Sequence, residues 1–324
     1  MTRALPTSSR TRAVLELIEA LQRHFATGLG SLDAEFTPIE WLRDGGRHGG
    51  GLRYARVESA VFNRASVNVS CVHYEDDATR PVVAATALSA IVHPRHPLAP
   101  SIHLHVSFTE PRSGEGTWRL MADLNPSHAL AAQTARFTAA LSEVMGPHAA
   151  HARDEGDRYF LIPALGRTRG VTHFYVEQFR TDDALAERFA RTAIDTYLSL
   201  LRDTPAREAT GAEKQQQREY HTLYLFQVLT LDRGTTSGLL AHDQNDVGVM
   251  GSLPAFVDRE LLASWASKVP APQHELVRAL VNVIPADGHV TDAVRAELAK
   301  RVRAHYRAHP DALGLQASGS ITPR

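Results

Sequence analysis

APSIHLHVSFTE, residues 99–110, alternates with a period of two. Ser101, His103, His105, Ser107 and Thr109 are polar, and Ile102, Leu104, Val106 and Phe108 between them are apolar. That is the pattern of a β-strand with one face on a core. The polar face carries two histidines two residues apart and no Lys, Asp or Glu. Its composition raises the question of whether it is a solvated face or the floor of a site.

The same period appears on either side. LRYARVESAVF and SVNVSCVHY within residues 52–74, and VVAATALSAIVHP (82–94), read as strands, the last broken by Pro94 and Pro97. PRSGEG is a turn, and YFLIPAL and GVTHFYVEQF (170–179) are further strands. Residues 11–28, 127–147, 182–203, 257–268, 273–283 and 291–309 have the apolar spacing and end signals of helices. EYHTLYLFQVLTLDRGT (219–235) reads as a long strand running into a turn, and DGGRHGGG (44–51) and HDQNDVG as loops. The glycine-rich loop follows no strand and lacks the Lys-Ser/Thr of a phosphate loop. Strands come in runs without strict βαβ alternation. The expected class is therefore α+β, with a large, mainly antiparallel sheet covered by helices.

Composition narrows the function. The 324 residues are 43% hydrophobic and 22% charged with a net charge of −1, which favours neither nucleic acid nor an anionic membrane. Cys71 is the single cysteine, so neither an internal disulfide nor a Cys-based zinc site is available. No run approaches the length of a membrane span and the first residues lack a signal-peptide core, so a cytoplasmic location is expected.

Five segments occur in order: Trp41 followed by GGRHGGGLRYARVESAVFNRASVNVS, then SAIVHPRHPLAPSIHLHV, WRLMADLNP, RGVTHFYVEQF, and LDRGTTSGLL with GSLP. The series resembles oxygen-dependent coproporphyrinogen III oxidase over roughly residues 40–260. The HP-x-x-P-x-x-P-x-x-H spacing and the DRGT-x-x-GL block are its most specific parts. The resemblance implies a large antiparallel sheet flanked by helices on both faces, in a homodimer. It implies an activity that removes carboxylate from two propionates with O₂ and no organic cofactor. It divides the chain into an N-terminal helical segment (1–38), a catalytic domain (39–260) and C-terminal helices with a tail (261–324) in one globular unit.

The same resemblance assigns roles. Ser89 matches a substrate-contacting serine, His93 the histidine of the HP step, and His103 a proposed proton donor. Asp123 matches an aspartate thought to bind pyrrole nitrogens and take their protons, and Asp232 and Arg233 keep the DRGT turn. Elsewhere the chain departs. The family's asparagine and arginine after its key histidine are here His105 and Ser107, and a further substrate-binding arginine aligns with Asn245. FEKAG becomes FNRAS (Phe62 to Ser66), and the RRGRY strand reads YHTLYLFQV. Metal-associated histidines of bacterial members fall near Thr138 and Ala164, and the FFDD carboxylates become Val176, Glu177 and Gln178.

Each lost guanidinium–carboxylate bond removes about 1.5–3 kcal/mol of binding. The expectation is an oxidase or oxidative decarboxylase with a smaller or less anionic small-molecule substrate, with Ser89, His105, Ser107 and Asn245 in its site. An authentic coproporphyrinogen III oxidase is the alternative, and it predicts arginines entering from elsewhere, such as Arg53, Arg64 or Arg95. A non-catalytic tetrapyrrole-binding protein is the third. His103 and Asp123 are the expected catalytic residues. His103 and His105 share a strand face, and His173 stands where the family has glycine, with Glu177 four residues on. If the strands border one cavity, His103, His105, His173, Glu177 and His93 make a metal site for Fe, Mn or Cu ahead of Zn. The plain alternative for His105 and His173 is an ordinary polar residue.

Overall fold

The computed structural model describes residues 2–241 and 246–317. Its centre is a seven-stranded antiparallel sheet in the order β1-β2-β3-β4-β5-β6-β9. The strands are β1 (Thr37–Leu42), β2 (Gly49–Val57), β3 (Phe62–His73), β4 (Val82–Pro94), β5 (Ser101–Pro111), β6 (Thr117–Asn125) and β9 (Thr172–Phe179). A two-stranded ribbon, β7 (Leu161–Ile162) and β8 (Arg167–Thr168), precedes β9.

The period of two in the opening stretch sorts the sheet into two faces. Ile102, Leu104, Val106 and Phe108 of β5 lie in one apolar core with residues of α1 (Ser9–Gly30), α2 (Ala131–Met145) and α4 (Asp183–Arg202). The opposite face meets α3 (Ala149–Tyr159) near β9 and a second helical layer. That layer comprises α5 (Gly211–Thr230), α6 (Arg233–Ala241), α7 (Asp246–Val249), α8 (Arg259–Trp265), α9 (Gln273–Val283) and α10 (Asp292–Ala308). The expected α+β architecture, helices on both faces of the sheet, is what the chain forms.

One element has the wrong type in the sequence reading. Residues 219–235 are not a strand: α5 runs from Gly211 to Thr230 behind a capping box in which Thr210 and Glu213 bond each other's backbone amides. Every residue from Tyr220 to Thr230 is buried. A helix covered on all sides loses its 3.6-residue polar rhythm, and its aromatic and branched residues then imitate a buried strand. Smaller corrections follow local geometry. Gly49–Gly51 pair in β2 rather than looping, and only Leu161–Ile162 of YFLIPAL pair as a strand. Helix α2 begins at Ala131, because the Ser127 hydroxyl bonds the Pro97 carbonyl instead of capping.

Candidate active site

Strand register places the candidate residues in rows across the polar face. Ile91, His103, Asp123 and His173 lie side by side on β4, β5, β6 and β9. The next row holds Ser89, His105, Met121 and Tyr175, and the one after it Ala87, Ser107 and Arg119. Directly paired residues project from the same side of a sheet, so these side chains share one face. At Arg119 the register breaks, between Trp118 and Leu120, opposite Glu177 and Gln178. Gln178 has φ of 51°, the left-handed region that such a bulge exploits to re-aim neighbouring side chains.

Over these rows lies a cavity of about 1060 Å³. Ser89, His103, His105 and Glu177 line it, together with Arg119, Arg158, Tyr159, Tyr175 and the turn from Asp232 to Thr235. The expected site residues thus divide. Ser89, His103, His105 and Glu177 reach the cavity. Ser107 is at its floor only through its hydrogen bond to His105, 3.1 Å from Nε2 to Oγ. Asn245 lies outside the described residues.

Asp123 is fully buried behind His103 and is absent from the cavity wall. Its Oδ1 is 3.0 Å from His103 Nδ1. Its Oδ2 accepts from Arg169 Nη2 at 2.8 Å and Asn125 Nδ2 at 2.5 Å. Burial works against its charge, but the Arg169 guanidinium, and then the His103 ring, hold the carboxyl well below the usual carboxylate range. Arg169, itself fully buried, also donates to Gln227 Oε1 at 2.6 Å and packs against the rings of Phe160 and Tyr224. His103 Nδ1 is 3.2 Å from Arg169 Nη2 as well. Since that nitrogen cannot donate to Asp123 and accept from Arg169 together, we assign it the proton, because the carboxylate is the stronger acceptor. Nε2 is then the nitrogen available to the cavity. Asp123, expected as a base or substrate anchor, thus stands behind His103 and bonds it rather than facing the cavity.

The expected five-residue metal site does not assemble. His173 shares the row of Asp123, but its Nδ1 is 2.7 Å from Asp157 Oδ1 and its Nε2 bonds the Arg169 carbonyl. It fits there because α3 carries Gly156 against it: a Cβ at that glycine would lie 2.7 Å from the His173 Cβ. His93 is fully buried, with Nδ1 3.0 Å from Ser101 Oγ and Nε2 3.1 Å from the Ser252 carbonyl. Glu177 accepts from the Tyr175 hydroxyl at 2.7 Å, two rows from His103. Among the described residues no group of three His, Cys, Asp or Glu side chains is arranged to hold a metal ion. His103 and His105 alone remain together, and no step is derived through a metal.

His105 is kept neutral, held well below the ordinary histidine value first by burial and then by the charge of Arg119. Arg119 was not singled out in the sequence, although Arg119, Met121 and Asp123 alternate on β6. Arginines do reach the cavity from elsewhere, namely Arg119, Arg158 and Arg233, but the three named as examples do not line it. Arg95 donates to the Ser59 carbonyl, and Arg53 and Arg64 are buried beside Gly251 and on β3. No helix among the described residues is long and apolar enough to cross a membrane.

Comparison with known proteins agrees with the residue pattern. The family described as coproporphyrinogen III oxidase matches residues 13–283. The oxygen-dependent coproporphyrinogen-III oxidase of Rickettsia rickettsii (strain Sheila Smith) is 26% identical over 258 residues, covering 74% of this chain and 90% of that protein. The mitochondrial oxygen-dependent coproporphyrinogen-III oxidase of Homo sapiens is 24% identical over 295 residues, covering 81% of this chain and 63% of that protein. A match that runs through the sheet, both helical layers and the cavity places this chain in the coproporphyrinogen III oxidase family, a family of oxidoreductases.

Proposed function

We propose that the chain is an oxygen-dependent oxidative decarboxylase acting on a propionate-bearing substrate of tetrapyrrole size. The observation that carries this reading is His103, fixed by the buried Asp123–Arg169 pair, at the wall of a cavity of about 1060 Å³. That volume is at the upper end for small-molecule sites, which run to about 1,000 Å³. The relatives named above are oxygen-dependent coproporphyrinogen-III oxidases, which gives the substrate class.

A propionate that becomes a vinyl group gives up CO₂, one proton and two electrons. O₂ accepts the electrons, and two such losses, with two further protons from solvent, reduce one O₂ to two waters. The redox demand therefore falls on substrate and O₂, and the reading requires no organic cofactor. We assign proton handling to His103 Nε2. Asp123 acts through it, fixing the tautomer and favouring the imidazolium when it forms. Neutral His105 extends the same wall.

A second reading, a less anionic substrate, draws on Ser107 and His105, two uncharged side chains in adjacent rows of the floor. One experiment separates the two. Purified protein is incubated in air with coproporphyrinogen III and with analogues carrying two or three propionates, and O₂ uptake and CO₂ release are followed. The first reading expects turnover of coproporphyrinogen III that falls about 10²–10⁴-fold in His103→Asn. Turnover of the analogues alone selects the second. No O₂ uptake with any of them rejects both.

A further inference from the structure

Arg119 is a half-buried charge at the cavity wall. It stands directly across from Ser107 in the β5–β6 pairing. Its side chain is half-buried and lies against two rings, 5.0 Å from the Tyr175 centroid and 5.7 Å from that of Tyr159. Those rings are themselves stacked, 4.6 Å apart with planes at 13°. Nη2 donates to the Tyr159 hydroxyl at 3.2 Å, and that hydroxyl donates in turn to Asp232 Oδ1 at 3.2 Å. Nε is buried without a partner among the described residues.

The carboxylates nearby are occupied otherwise. Asp232 Oδ1 takes the Tyr159 hydroxyl and the Thr235 amide, and Glu177 takes the Tyr175 hydroxyl. Arg158, on the same wall, is paired with Glu155. Among the described residues no carboxylate lies within ion-pair distance of Arg119. The charge persists all the same: burial works against it, and the Tyr159 and Tyr175 hydroxyls with Asp232 and Glu177 more than offset that.

The guanidinium is at the cavity wall. A Cβ on Gly234, at the start of α6, would lie 3.0 Å from Asp232 Oδ1 and in ordinary contact, 3.8 and 3.9 Å, with Arg119 Nη1 and the Tyr159 hydroxyl. Exposed Arg233 lines the cavity beside it. Four residues of strand separate this row from that of His103, about 13 Å. A group bound here thus belongs to the far side of the substrate from His103.

We infer that Arg119 is a specificity-determining residue that docks a carboxylate of the substrate, held in place by the Tyr159–Tyr175 pair. The inference rests on the proposed substrate class and names which residue reads it. It also accounts for Ser107: one guanidinium in this row, carried by β6, leaves β5 free to be small there.

The test is equilibrium binding rather than turnover. Coproporphyrin III is titrated against the protein by quenching of tryptophan fluorescence, since Trp41 lines the cavity. A tetracationic porphyrin of the same ring size serves as the control. Arg119→Gln is expected to raise Kd for coproporphyrin III at least tenfold and leave the control unchanged. Arg119→Gln/Ser107→Arg, which returns a guanidinium to the same row from the neighbouring strand, is expected to recover most of the loss. Wild-type affinity in Arg119→Gln, checked for a cooperative melt, overturns the inference while leaving the proposed function standing. Wild-type protein that does not bind coproporphyrin III overturns both. Should Arg119→Gln fail to fold, Arg119→Lys replaces it: the charge stays, the planar fork goes, and at least a threefold weaker Kd is expected, with no change counting against the inference.

Discussion

The face of the sheet that bears the site is two regions with one pattern and opposite fates. At one end His93, Ser101, Asp123, Asn125 and His173 are all buried, sealed by α3 and α5. At the other end Ser89, His105, Arg119 and Glu177 face an open cavity. His103 stands on the border. In the sealed part the charged and imidazole groups are paired: Asp123 meets Arg169, His173 meets Asp157, and His93 meets Ser101 and Ser252, although Asn125 Oδ1 and Arg169 Nε are buried without a partner among the described residues. In the open part Arg119 makes, among the described residues, a single hydrogen bond, to a tyrosine. Burial makes an unmet polar group expensive, whereas a water-filled cavity tolerates one until a ligand arrives. A buried ion pair in one region, and in the other a guanidinium at a cavity wall with no carboxylate partner among the described residues, is what separates scaffold from site.

The sharpest way to break this contrast is to exchange one arginine from each region. Arg169→Met strands the Asp123 carboxylate in the interior, and removing one partner of a buried pair costs about 3–5 kcal/mol. Urea unfolding is expected to show a loss of that size. Arg119→Gln removes a guanidinium that has no carboxylate partner among the described residues, and about 1 kcal/mol or less is expected. Equal losses for the two would erase the distinction between the regions.

Gly156 tests the sealed end by shape. A Cβ there would sit 2.8 Å from the His173 carbonyl carbon and 3.0 Å from its oxygen, both backbone atoms of β9. Backbone cannot step aside as a side chain does. Gly156→Ala is therefore expected to cost about 1–3 kcal/mol as overpacking. A wild-type denaturation midpoint for this variant would mean that α3 rides loosely on β9, and that His173 is not clamped.

The contrast also explains what could be read from the sequence. Ile102, Leu104, Val106 and Phe108 gave away the core face of β5, because half-buried antiparallel strands alternate strictly. By the same rhythm His103, His105 and Ser107 had to share a face. What the rhythm cannot supply is depth. Asp123 and Arg119 alternate on one strand, yet one is sealed and the other open, and the cause is α5, whose uninterrupted burial made it look like a strand. His173 stands in the correct row for a ligand, but its ring turns to Asp157 on α3, a partner chosen by packing 16 residues away. Alternation finds the face; only the layer above it decides which residues work.

Acid should attack the sealed region through its histidines. His221 on α5 is pushed down to about 3 by burial, and His93, 5.1 Å from it ring to ring, is also held well below its ordinary value by burial and by His221. Both stay neutral in the fold and charge in the unfolded chain. Below about pH 6.5 the unfolded state binds more protons, so stability falls with pH from there towards 3, by about 1.4 kcal/mol per pH unit for each such group. Asp123 adds to this only at lower pH, since its depressed value delays protonation in the fold. His221→Gln is expected to flatten the slope of unfolding free energy between pH 6 and 4. An unchanged slope would place the acid sensitivity elsewhere.

The smallest effect on stability belongs to the open region and carries the most information about it. His105 is half-buried, stays neutral, and bonds Ser107 at 3.1 Å. Substituting Asn, another neutral side chain able to bond a hydroxyl, should change unfolding free energy by no more than about 0.5 kcal/mol. If His105 only extends the wall beside His103, turnover should shift by a small factor with its pH profile intact. If His105 shares proton transfer, the profile should lose one limb on substitution. Nothing in the sealed region can give that answer, because there every substitution is felt first as a loss of fold.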